Sequence, residues 1–290
     1  MISVYVPATS ANCCVGFDCL GMAVDWWAHF TFEESDELIV EGCPDDFKGS
    51  NNLVVQAFYT TCDYLHLEYP TFKLTIDTDI PFARGLGSSS TCVVAGILAC
   101  DVWFKKNMDK MEILKIATSI EGHPDNVAPA IFGQATACFM EKEDVRMSLV
   151  NCADYYCMAI VPGYEVKTSQ ARKVLPTGMA FKDCVNQVSH ALVFVQALQQ
   201  GNEKLLASSC KDSLHEPYRR QFIKEYDTIK EYCTQKQLPM WISGSGSTMM
   251  IVSLEKSHLV ELSKILESCF SELDYRFLTI AKEGAFIKYE

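Results

Sequence analysis

A turn rich in glycine and serine, followed at once by an apolar run, constrains this 290-residue chain more than any other stretch. Residues 81–91 read PFARGLGSSST, and Cys92 to Phe104 has the pattern of a helix. Gly85 and Gly87 permit a tight turn, and the helix start presents unpaired N–H groups and the positive end of its dipole. Such a cradle suits an anion, above all a phosphate group. An ordinary helix cap beside a turn explains the same residues when they are taken alone.

The cradle lacks lysine, and no Gly-Lys-Ser/Thr signature of a Walker A loop occurs anywhere in the chain. If the cradle binds ATP, backbone amides and serine hydroxyls must make most of the contacts. The net charge of −12 disfavours nucleic-acid binding, because neutralising a phosphate backbone requires a basic surface. A local nest of amides with a divalent cation can still hold ATP in an acidic protein.

The 14 cysteines do not indicate disulfides or a zinc site. Several lie in apolar stretches, where a thiol behaves as a small hydrophobic group, and no Cys-x-x-Cys occurs. The N-terminal residues lack the basic region and apolar core of a signal peptide, and the longest apolar run, residues 92–100, is too short to span a membrane. We therefore predict a protein of a reducing, cytoplasmic compartment that does not associate with membranes.

Hydrophobic periodicity predicts an α+β protein. In the first half, the pattern predicts strands at 2–6, 24–34, 38–41 and 71–77 and helices at 52–67, 92–104 and 111–120, with Pro7 ending the first strand. In the second half it predicts helices at 181–200, 203–211, 219–236 and 255–270, and strands at 156–161, 240–243, 248–253, 275–281 and 285–289. This second pattern favours helices on one face of a mostly antiparallel sheet. A turn at residues 161–163 places a domain boundary near residue 155, which gives domains of residues 1–155 and 156–290.

Three further segments concentrate polar side chains. They are PATSANCCVGFDCLG at 7–21, EGHPDNVAP at 121–129 and WISGSGST at 241–248. Each has an ordinary explanation, because Asn and Asp often bond their own backbone in turns and helix caps. Their order and spacing along one chain, together with the cradle, favour a shared functional site.

These segments resemble the motifs of the GHMP kinase superfamily and, within it, most closely those of homoserine kinases. Residues 7–21 are similar to the first family motif and residues 81–91 to the nucleotide motif. The block HPDNVAPA at 123–130 separates homoserine kinases from mevalonate or galactose kinases. The stretches at 168–176 and 215–219 resemble the downstream substrate segments. The chain departs from the family pattern at Cys13-Cys14-Val15, at Gln134 and at Ser247, where Leu-Gly-Pro, a glycine and a proline are usual.

The resemblance implies ATP-dependent phosphorylation of the side-chain hydroxyl of L-homoserine to O-phospho-L-homoserine, in threonine biosynthesis. It also implies a ribosomal-protein-S5-domain-2-like N-terminal domain, a ferredoxin-like C-terminal domain, a site between them and a homodimer. Two alternatives stay open: a GHMP kinase for another substrate such as mevalonate, and a sensor without catalytic activity. The arginines at 172 and 219 favour an amino acid, and the intact cradle serines with Glu121 favour catalysis.

Each group of homoserine needs a different partner. Arg172 and Arg219 suit the carboxylate, because a guanidinium can grip it bidentately, and Asp18 suits the ammonium. The predicted catalytic residues are Asn126, His123 and Asp18. The predicted substrate-binding residues are Asn12, Asp18, His123, Asp125, Asn126, Thr168, Arg172 and Arg219. The predicted nucleotide-binding residues are Pro81, Arg84, Gly85, Leu86, Gly87, Ser88, Ser89, Ser90 and Thr91.

We also expect a magnesium ion in the site and no catalytic base. Ser89 and Glu121 are predicted to hold Mg²⁺ against the phosphates of ATP, since this hard cation takes few protein oxygens and shares its remaining positions with phosphate and water. The alternative for Glu121 is a surface carboxylate that closes a helix, where its charge would oppose the dipole. Asn126 carries a neutral amide, which is a poor base, so we predict transfer without an obligatory catalytic base.

Overall fold

The computed structural model describes residues 1–142, 144–270 and 273–289. Within those residues the strands are β1 (Ile2–Ala11), β2 (Leu20–Glu34), β3 (Ile39–Glu41), β4 (Phe72–Asp77), β5 (Ala135–Glu141), β6 (Asp144–Val150), β7 (Tyr156–Val161), β8 (Met240–Ile242), β9 (Met249–Ser253), β10 (Asp274–Thr279) and β11 (Phe286–Tyr289). The helices are α1 (Leu53–Leu65), α2 (Ser88–Trp103), α3 (Lys110–Glu121), α4 (Pro124–Phe132), α5 (Thr168–Lys173), α6 (Phe181–Gln200), α7 (Glu203–Ser209), α8 (Glu216–Arg219), α9 (Tyr226–Lys236) and α10 (Lys256–Cys269). Short 3₁₀ turns follow at Asp45–Phe47 and Arg220–Phe222.

The first sheet has the order β11-β1-β2-β4-β3, and β5 joins β2 to β6. Its pairs are antiparallel except β3 with β4. Helix α2 lies buried against this sheet, with apolar residues all round its axis, as expected for a core helix. Gly96 lets α2 approach α1 closely, because a Cβ there would lie 2.3 Å from the carbonyl oxygen of Val54. The helix that begins at the cradle is therefore anchored in the main core.

The second sheet has the antiparallel order β10-β7-β9-β8, which confirms the predicted antiparallel pairing. The expectation that helices cover one face is wrong, because α10 packs on one face and α6, through Phe194, on the other. Strand alternation divides its core between two faces. Met158 and Ile160 face the cluster that includes Leu259 and Leu262 of α10. Cys157, Met250 and Val252, with Trp241 of β8, face the larger cluster that also contains the first sheet. The two sheets thus share one continuous apolar core.

Three local expectations are wrong, and one element is missing from them. Strand β1 passes through Pro7 to Ala11, because the register shifts between Pro7 and Ala8 and a proline is tolerated at such an irregularity. Helix α2 begins at Ser88, so the cradle serines form its first turn. The helix expected at 219–236 is two helices separated by a 3₁₀ turn. The hairpin of β5 and β6 was not predicted from the sequence.

The domain division at residue 155 stays a prediction. The last strand, β11, pairs antiparallel with β1. A boundary drawn at 155 therefore assigns one strand of the first sheet to the second segment. Across the described ranges, no helix combines the length and apolar character needed to cross a bilayer.

Candidate active site

A cavity of about 620 Å³ brings together the motifs at 7–21, 81–91, 121–129 and 168–176. The predicted site residues that line it are Asn12, Asp18, Arg84, Gly85, Leu86, Gly87, Ser88, Ser89, Thr91, Glu121, His123, Asp125, Asn126, Thr168, Arg172 and Arg219. Pro81 and Ser90 are not among the lining residues. Ser90 is buried and its hydroxyl has no partner in the described structure, so it faces the protein interior.

The cradle forms the N-terminal end of α2 inside this cavity. Gly87, the N-cap, has a left-handed φ of 67°, and no side chain caps the helix. The Thr91 hydroxyl donates to the Ser88 carbonyl oxygen, which fixes the first turn. A Cβ at Gly87 would lie 2.0 Å from the hydroxyl of Thr9. The first-turn N–H groups are left for a ligand, as a phosphate cradle requires.

The second glycine-serine turn, at 243–248, forms hydrogen bonds to the backbone of the cradle. The Ser243 hydroxyl donates to the Gly85 carbonyl oxygen at 2.6 Å, and the Thr248 N–H donates to the Arg84 carbonyl oxygen at 3.1 Å. The Arg84 side chain donates to the carbonyl oxygens of Pro162 and Gly163, at 3.2 and 3.1 Å. These contacts tie the cradle to the second sheet and hold it in one conformation.

We expect Gly85→Ala to destabilise the protein by about 3 kcal/mol or more. Gly85 has a φ of +74°, and a Cβ would lie 2.0 Å from the Ser243 carbonyl oxygen, so left-handed strain adds to a backbone clash. Gly122→Ala is the matched control, because Gly122 has a φ of +83° with nothing within 4 Å of the added Cβ. In denaturant unfolding, that control should lose about 1 kcal/mol of its free energy of unfolding. Equal losses in both variants would contradict the clash.

An ion pair lines the same cavity as the cradle. Arg172 donates twice to Asp18, at 2.8 and 2.9 Å, although 154 positions separate them. The Asp18 carboxylate raises the pKa of the Arg172 guanidinium. Asn12 positions Asp18, because its Oδ1 accepts the Asp18 N–H at 3.0 Å while its Nδ2 donates to the Gly244 carbonyl oxygen at 2.8 Å. The left-handed φ values of Asn12 and Asp18, 68° and 57°, suit these residue types.

Arg219 is a second cation in this cavity, and it is almost fully buried. It donates to the carbonyl oxygens of Gly244 and Ala171, at 2.9 and 3.3 Å, and none of the described carboxylates lies within 4.0 Å of it. Burial and the charge of Arg172 lower the pKa of Arg219 to about 10. The centre of the Phe17 ring lies 4.9 Å from the guanidinium carbon of Arg219 and 5.6 Å from that of Arg172. A buried cation without a carboxylate partner is suited to an anionic ligand.

The segment at 215–219 positions Arg219 through residues that do not line the cavity. The Asp212 carboxylate accepts the N–H groups of His215 and Glu216, each at 2.7 Å, and so caps α8. His215 Nε2 donates to the Cys14 carbonyl oxygen at 2.7 Å, and the His215 ring stacks on Phe17. The Cys13-Cys14-Val15 departure is therefore part of the support beneath the two arginines.

The other two departures are also accommodated locally. Gln134 has a φ of 56°, which explains why a glycine is usual there, and its side chain accepts the Cys152 N–H. The Ser247 hydroxyl donates to the Tyr164 carbonyl oxygen at 2.7 Å. Neither residue lines the cavity.

The block at 121–126 lies between the cradle and the ion pair. Glu121 ends α3, and burial raises the pKa of its carboxyl group while the neighbouring Ser89 hydroxyl opposes that shift. His123 Nδ1 lies 2.6 Å from the buried Asp125 carboxylate, which raises the pKa of His123. Asn126 Oδ1 accepts the Thr9 hydroxyl at 2.8 Å, so its NH₂ group is the end left to donate.

An apolar wall near the cradle was missed by the sequence analysis. Cys43, Phe47, Leu53, Ile76 and Phe82 line this part of the cavity. These residues come from four separate segments and carry no catalytic chemistry, so no local pattern identifies them. Their apolar side chains beside a phosphate cradle suit a flat base.

Comparisons with known proteins agree with this geometry. The sequence model of the GHMP kinase N-terminal domain matches residues 52–134. A homoserine kinase of Clostridium botulinum is 38% identical over 99% of this chain and 98% of its own length. The crystal structure of a homoserine kinase from Cytophaga hutchinsonii has a TM-score of 0.88 at 26% identity, covering 99% of this chain and 97% of that one.

The fold extends further than the sequence similarity. An L. major mevalonate kinase, solved with R-mevalonate, has a TM-score of 0.72 at 15% identity, covering 95% of this chain and 94% of that one. This likeness confirms the expected two-part α+β fold of GHMP kinases and carries no information on the substrate. Given the 38% identity over nearly its full length, the chain belongs to the homoserine kinase family within the GHMP kinases.

Proposed function

We propose that this cavity transfers the γ-phosphoryl group of ATP to the side-chain hydroxyl of L-homoserine, giving O-phospho-L-homoserine for threonine biosynthesis. The observation that carries this proposal is the Asp18–Arg172 pair in the same cavity as the cradle. Its two charges are those that a free amino acid complements. Family membership supports the same reaction.

A zwitterion can enter this site without leaving a charge unpaired. Its carboxylate replaces Asp18 as the partner of Arg172 and adds a partner for Arg219, while its ammonium replaces Arg172 as the partner of Asp18. Both side chains of the pair are more than one-third exposed, so separating them costs little. Mevalonate has a carboxylate and no ammonium, so it would leave Asp18 without a counter-charge. The exchange therefore favours an amino acid.

ATP would lie with its phosphates on the cradle and its base on the apolar wall. The N–H groups of the first turn of α2, with Ser88 and Ser89, would hold the phosphates. Cys43, Phe47 and Phe82 would contact the base. This arrangement points the γ-phosphate toward the block at 121–126 and the hydroxyl of the substrate.

The donor set at Ser89 and Glu121 fits Mg²⁺. A carboxylate and a hydroxyl are hard oxygen ligands, and burial, which raises the pKa of Glu121, favours a cation beside its ionised form. Bound with ATP, Mg²⁺ would neutralise charge on the β- and γ-phosphates. Within the described ranges, no group of three or more His, Cys, Asp or Glu residues could hold a metal ion. The phosphates of ATP would therefore have to supply further ligands.

The residues around the hydroxyl position it and do not deprotonate it. Asn126 presents an NH₂ group, which donates a hydrogen bond and cannot accept a proton. Asp125 raises the pKa of His123, so His123 stays protonated to a higher pH than a free imidazole. Asp18 would be occupied by the ammonium. We therefore propose in-line transfer in which positioning and charge stabilisation supply the rate, with the proton leaving late.

The test of the proposed function is a coupled assay of ADP release from MgATP. We expect turnover with L-homoserine and at most background release with mevalonate or galactose. The motif at 123–130, the cradle and the ion pair together motivate this expectation. Turnover with mevalonate and none with homoserine would sink the assignment, and tight homoserine binding with no turnover would favour the sensor.

We expect Arg172→Leu to raise the KM for homoserine on the order of 100-fold and to leave the KM for ATP within a few-fold. A carboxylate clamp holds ground state and transition state alike, so its loss appears mainly as weaker substrate binding. Arg146→Leu is the matched control, because Arg146 is exposed on β6 away from the cavity. Initial rates at varied homoserine and ATP separate the two constants. A shift in the KM for ATP instead would reassign Arg172 to the nucleotide.

We also propose that the protein is a cytoplasmic homodimer. All 14 cysteines are free thiols, which supports a reducing compartment. Cys62 and Cys100 have their sulfur atoms 3.6 Å apart without a bond. Homodimers are usual in the family.

A further inference from the structure

Helix α6 carries a stripe of exposed apolar side chains on its outer face. Phe181, Val185, Val188 and Leu192 are 85, 52, 60 and 70% exposed. The inner face of the same helix is buried through Gln187, Phe194 and Leu198. Single exposed apolar residues are ordinary, but four on one helix face form a contiguous apolar patch, which is a feature of interaction sites.

Beyond Lys182 and Asp183 in its first turn, this helix also lacks charged residues. Residues 184–200 contain no Asp, Glu, Lys or Arg, although 21% of the chain is charged. Helix α10, which also lies on the surface of the second segment, carries Lys256, Glu261 and Lys264 over a similar length. A surface helix that must remain in water normally carries charge on its outer face. The outer face of α6 is thus suited to being covered, and its partner must be uncharged there too.

The spacing of the stripe specifies that partner. The intervals between its residues are four, three and four, the pattern of a coiled-coil seam. That pattern reads the same in both directions along the helix. Two copies of α6 packed antiparallel about an axis between residues 186 and 187 would place Val185 against the partner subunit's Val188. Phe181 would likewise lie against the partner subunit's Leu192.

We propose that the stripe is the dimer surface of this protein, occupied by α6 of a second copy in antiparallel orientation about a two-fold axis. This inference rests on the homodimer proposed above and names its surface. A two-fold contact uses the same patch on both copies, as this self-complementary stripe requires. Covering both patches would bury on the order of 1,000 Å² in total, at the low end for a specific interface.

A shallow cavity beside the stripe adds to the fit. It has a volume of about 170 Å³ and is lined by Ser189, His190, Val193, Ser208 and Ser209, between α6 and α7. Two of its lining residues, Ser189 and Val193, are the helix neighbours of Leu192, the residue that would face Phe181 of the partner subunit. The Phe181 ring, the most exposed member of the stripe, would therefore have a recess to enter.

The test is the mass of the full chain in solution, measured by light scattering and sedimentation velocity at about 10–100 µM. We expect the wild type to have twice the mass of one chain. Leu192→Glu should raise the dimer dissociation constant by at least 100-fold, because each copy then buries an unpaired carboxylate. Phe139→Glu is the matched control, since Phe139 is 61% exposed on β5, outside the stripe, and should leave the dimer intact.

Two further variants keep the test sharp. Phe181→Ser alters the first residue of α6, where little of the fold depends on the side chain, and should also weaken the dimer. Val185→Lys combined with Val188→Glu should associate more tightly than either single variant, because the opposite charges face each other only in the antiparallel arrangement. A parallel pair would place like charges together and give no recovery.

Each outcome decides the proposal. A wild-type monomer, or a dimer that survives both Leu192→Glu and Phe181→Ser, would overturn it. Loss of the dimer in Phe139→Glu alone would move the surface to β5. Homoserine-dependent ADP release and the circular dichroism spectrum report folding separately, so failure of the dimer and failure of the proposed reaction are distinguishable. The surface would be established if the wild type is a dimer and the stripe variants are monomers with normal circular dichroism spectra.

Discussion

Replacing Glu121 by glutamine is expected to lower kcat on the order of 10²- to 10³-fold, the effect of losing one preorganised electrostatic contact. Glutamine keeps the size of the side chain and removes its charge. The carboxylate lies at the end of α3 beside Ser89, in the same cavity as the cradle. Its charge is the feature that suits it to a cation on the phosphates of ATP.

The same substitution should not destabilise the fold. Burial raises the pKa of Glu121, so the ionised carboxylate costs stability above that pKa and costs none below its ordinary range. At neutral pH, Glu121→Gln removes this cost, and the midpoint of thermal unfolding should stay level or rise. Unchanged or higher stability together with lost activity would indicate that Glu121 serves function and not folding.

Three measurements check the prediction: kcat at varied Mg²⁺, calorimetric binding of ATP with and without Mg²⁺, and thermal unfolding. Glu112→Gln is the matched control, because Glu112 lies in the first turn of the same helix, away from the cavity. Its kcat should stay close to that of the wild type. Near wild-type turnover of Glu121→Gln at ordinary Mg²⁺ would refute the metal assignment.

Asp18→Asn is expected to reduce kcat/KM for homoserine on the order of 10²-fold, chiefly through KM. The substitution should leave the conformation of this loop unchanged, because the Asn12 side chain accepts the backbone N–H of residue 18 and does not depend on its side chain. It removes the negative charge that would hold the ammonium, a contact worth several kcal/mol when one partner of a close charge pair is lost. It also releases Arg172 from its bidentate contact.

A substrate without the amino group separates binding from catalysis. With 4-hydroxybutyrate, the wild type should lose most of its kcat/KM, whereas Asp18→Asn should discriminate little between this acid and homoserine. Asp36→Asn, at an exposed position outside the cavity, is the control. Strong discrimination retained by Asp18→Asn would show that another group holds the ammonium.

The pH dependence of kcat tests whether a base is needed. Asp18 and His123 are the remaining candidates, and Asp125 raises the pKa of His123, which makes it protonated over more of the neutral range. We expect kcat of His123→Gln to stay within about tenfold of the wild type, with no acid limb lost. A steep fall of kcat below one pKa that disappears with most of the activity in His123→Gln or Asp18→Asn would establish a base.

Short-range patterns were enough to predict much of this protein. The cradle at 81–91 was readable because glycines, serines and a following apolar run determine a turn and a helix N-terminus within eleven residues. Strand β7 and helix α6 have the predicted bounds, since periodicities of two and 3.6 residues reflect burial along one element. The type of side chain at 18, 121, 126, 172 and 219 likewise indicated its chemistry before its position was known.

Contacts between distant segments were decided by the tertiary structure. The Asp18–Arg172 pair, the support of Gly85 by Ser243 and the apolar wall of the cavity each join segments far apart in the chain. Strand β11 returns to β1 across nearly the whole sequence. Local propensity contains no information on such pairs, because they form when the shared core of two sheets closes and brings their edges together. The polar residues of the candidate site could therefore be predicted from the sequence, and their partners became evident only with the fold.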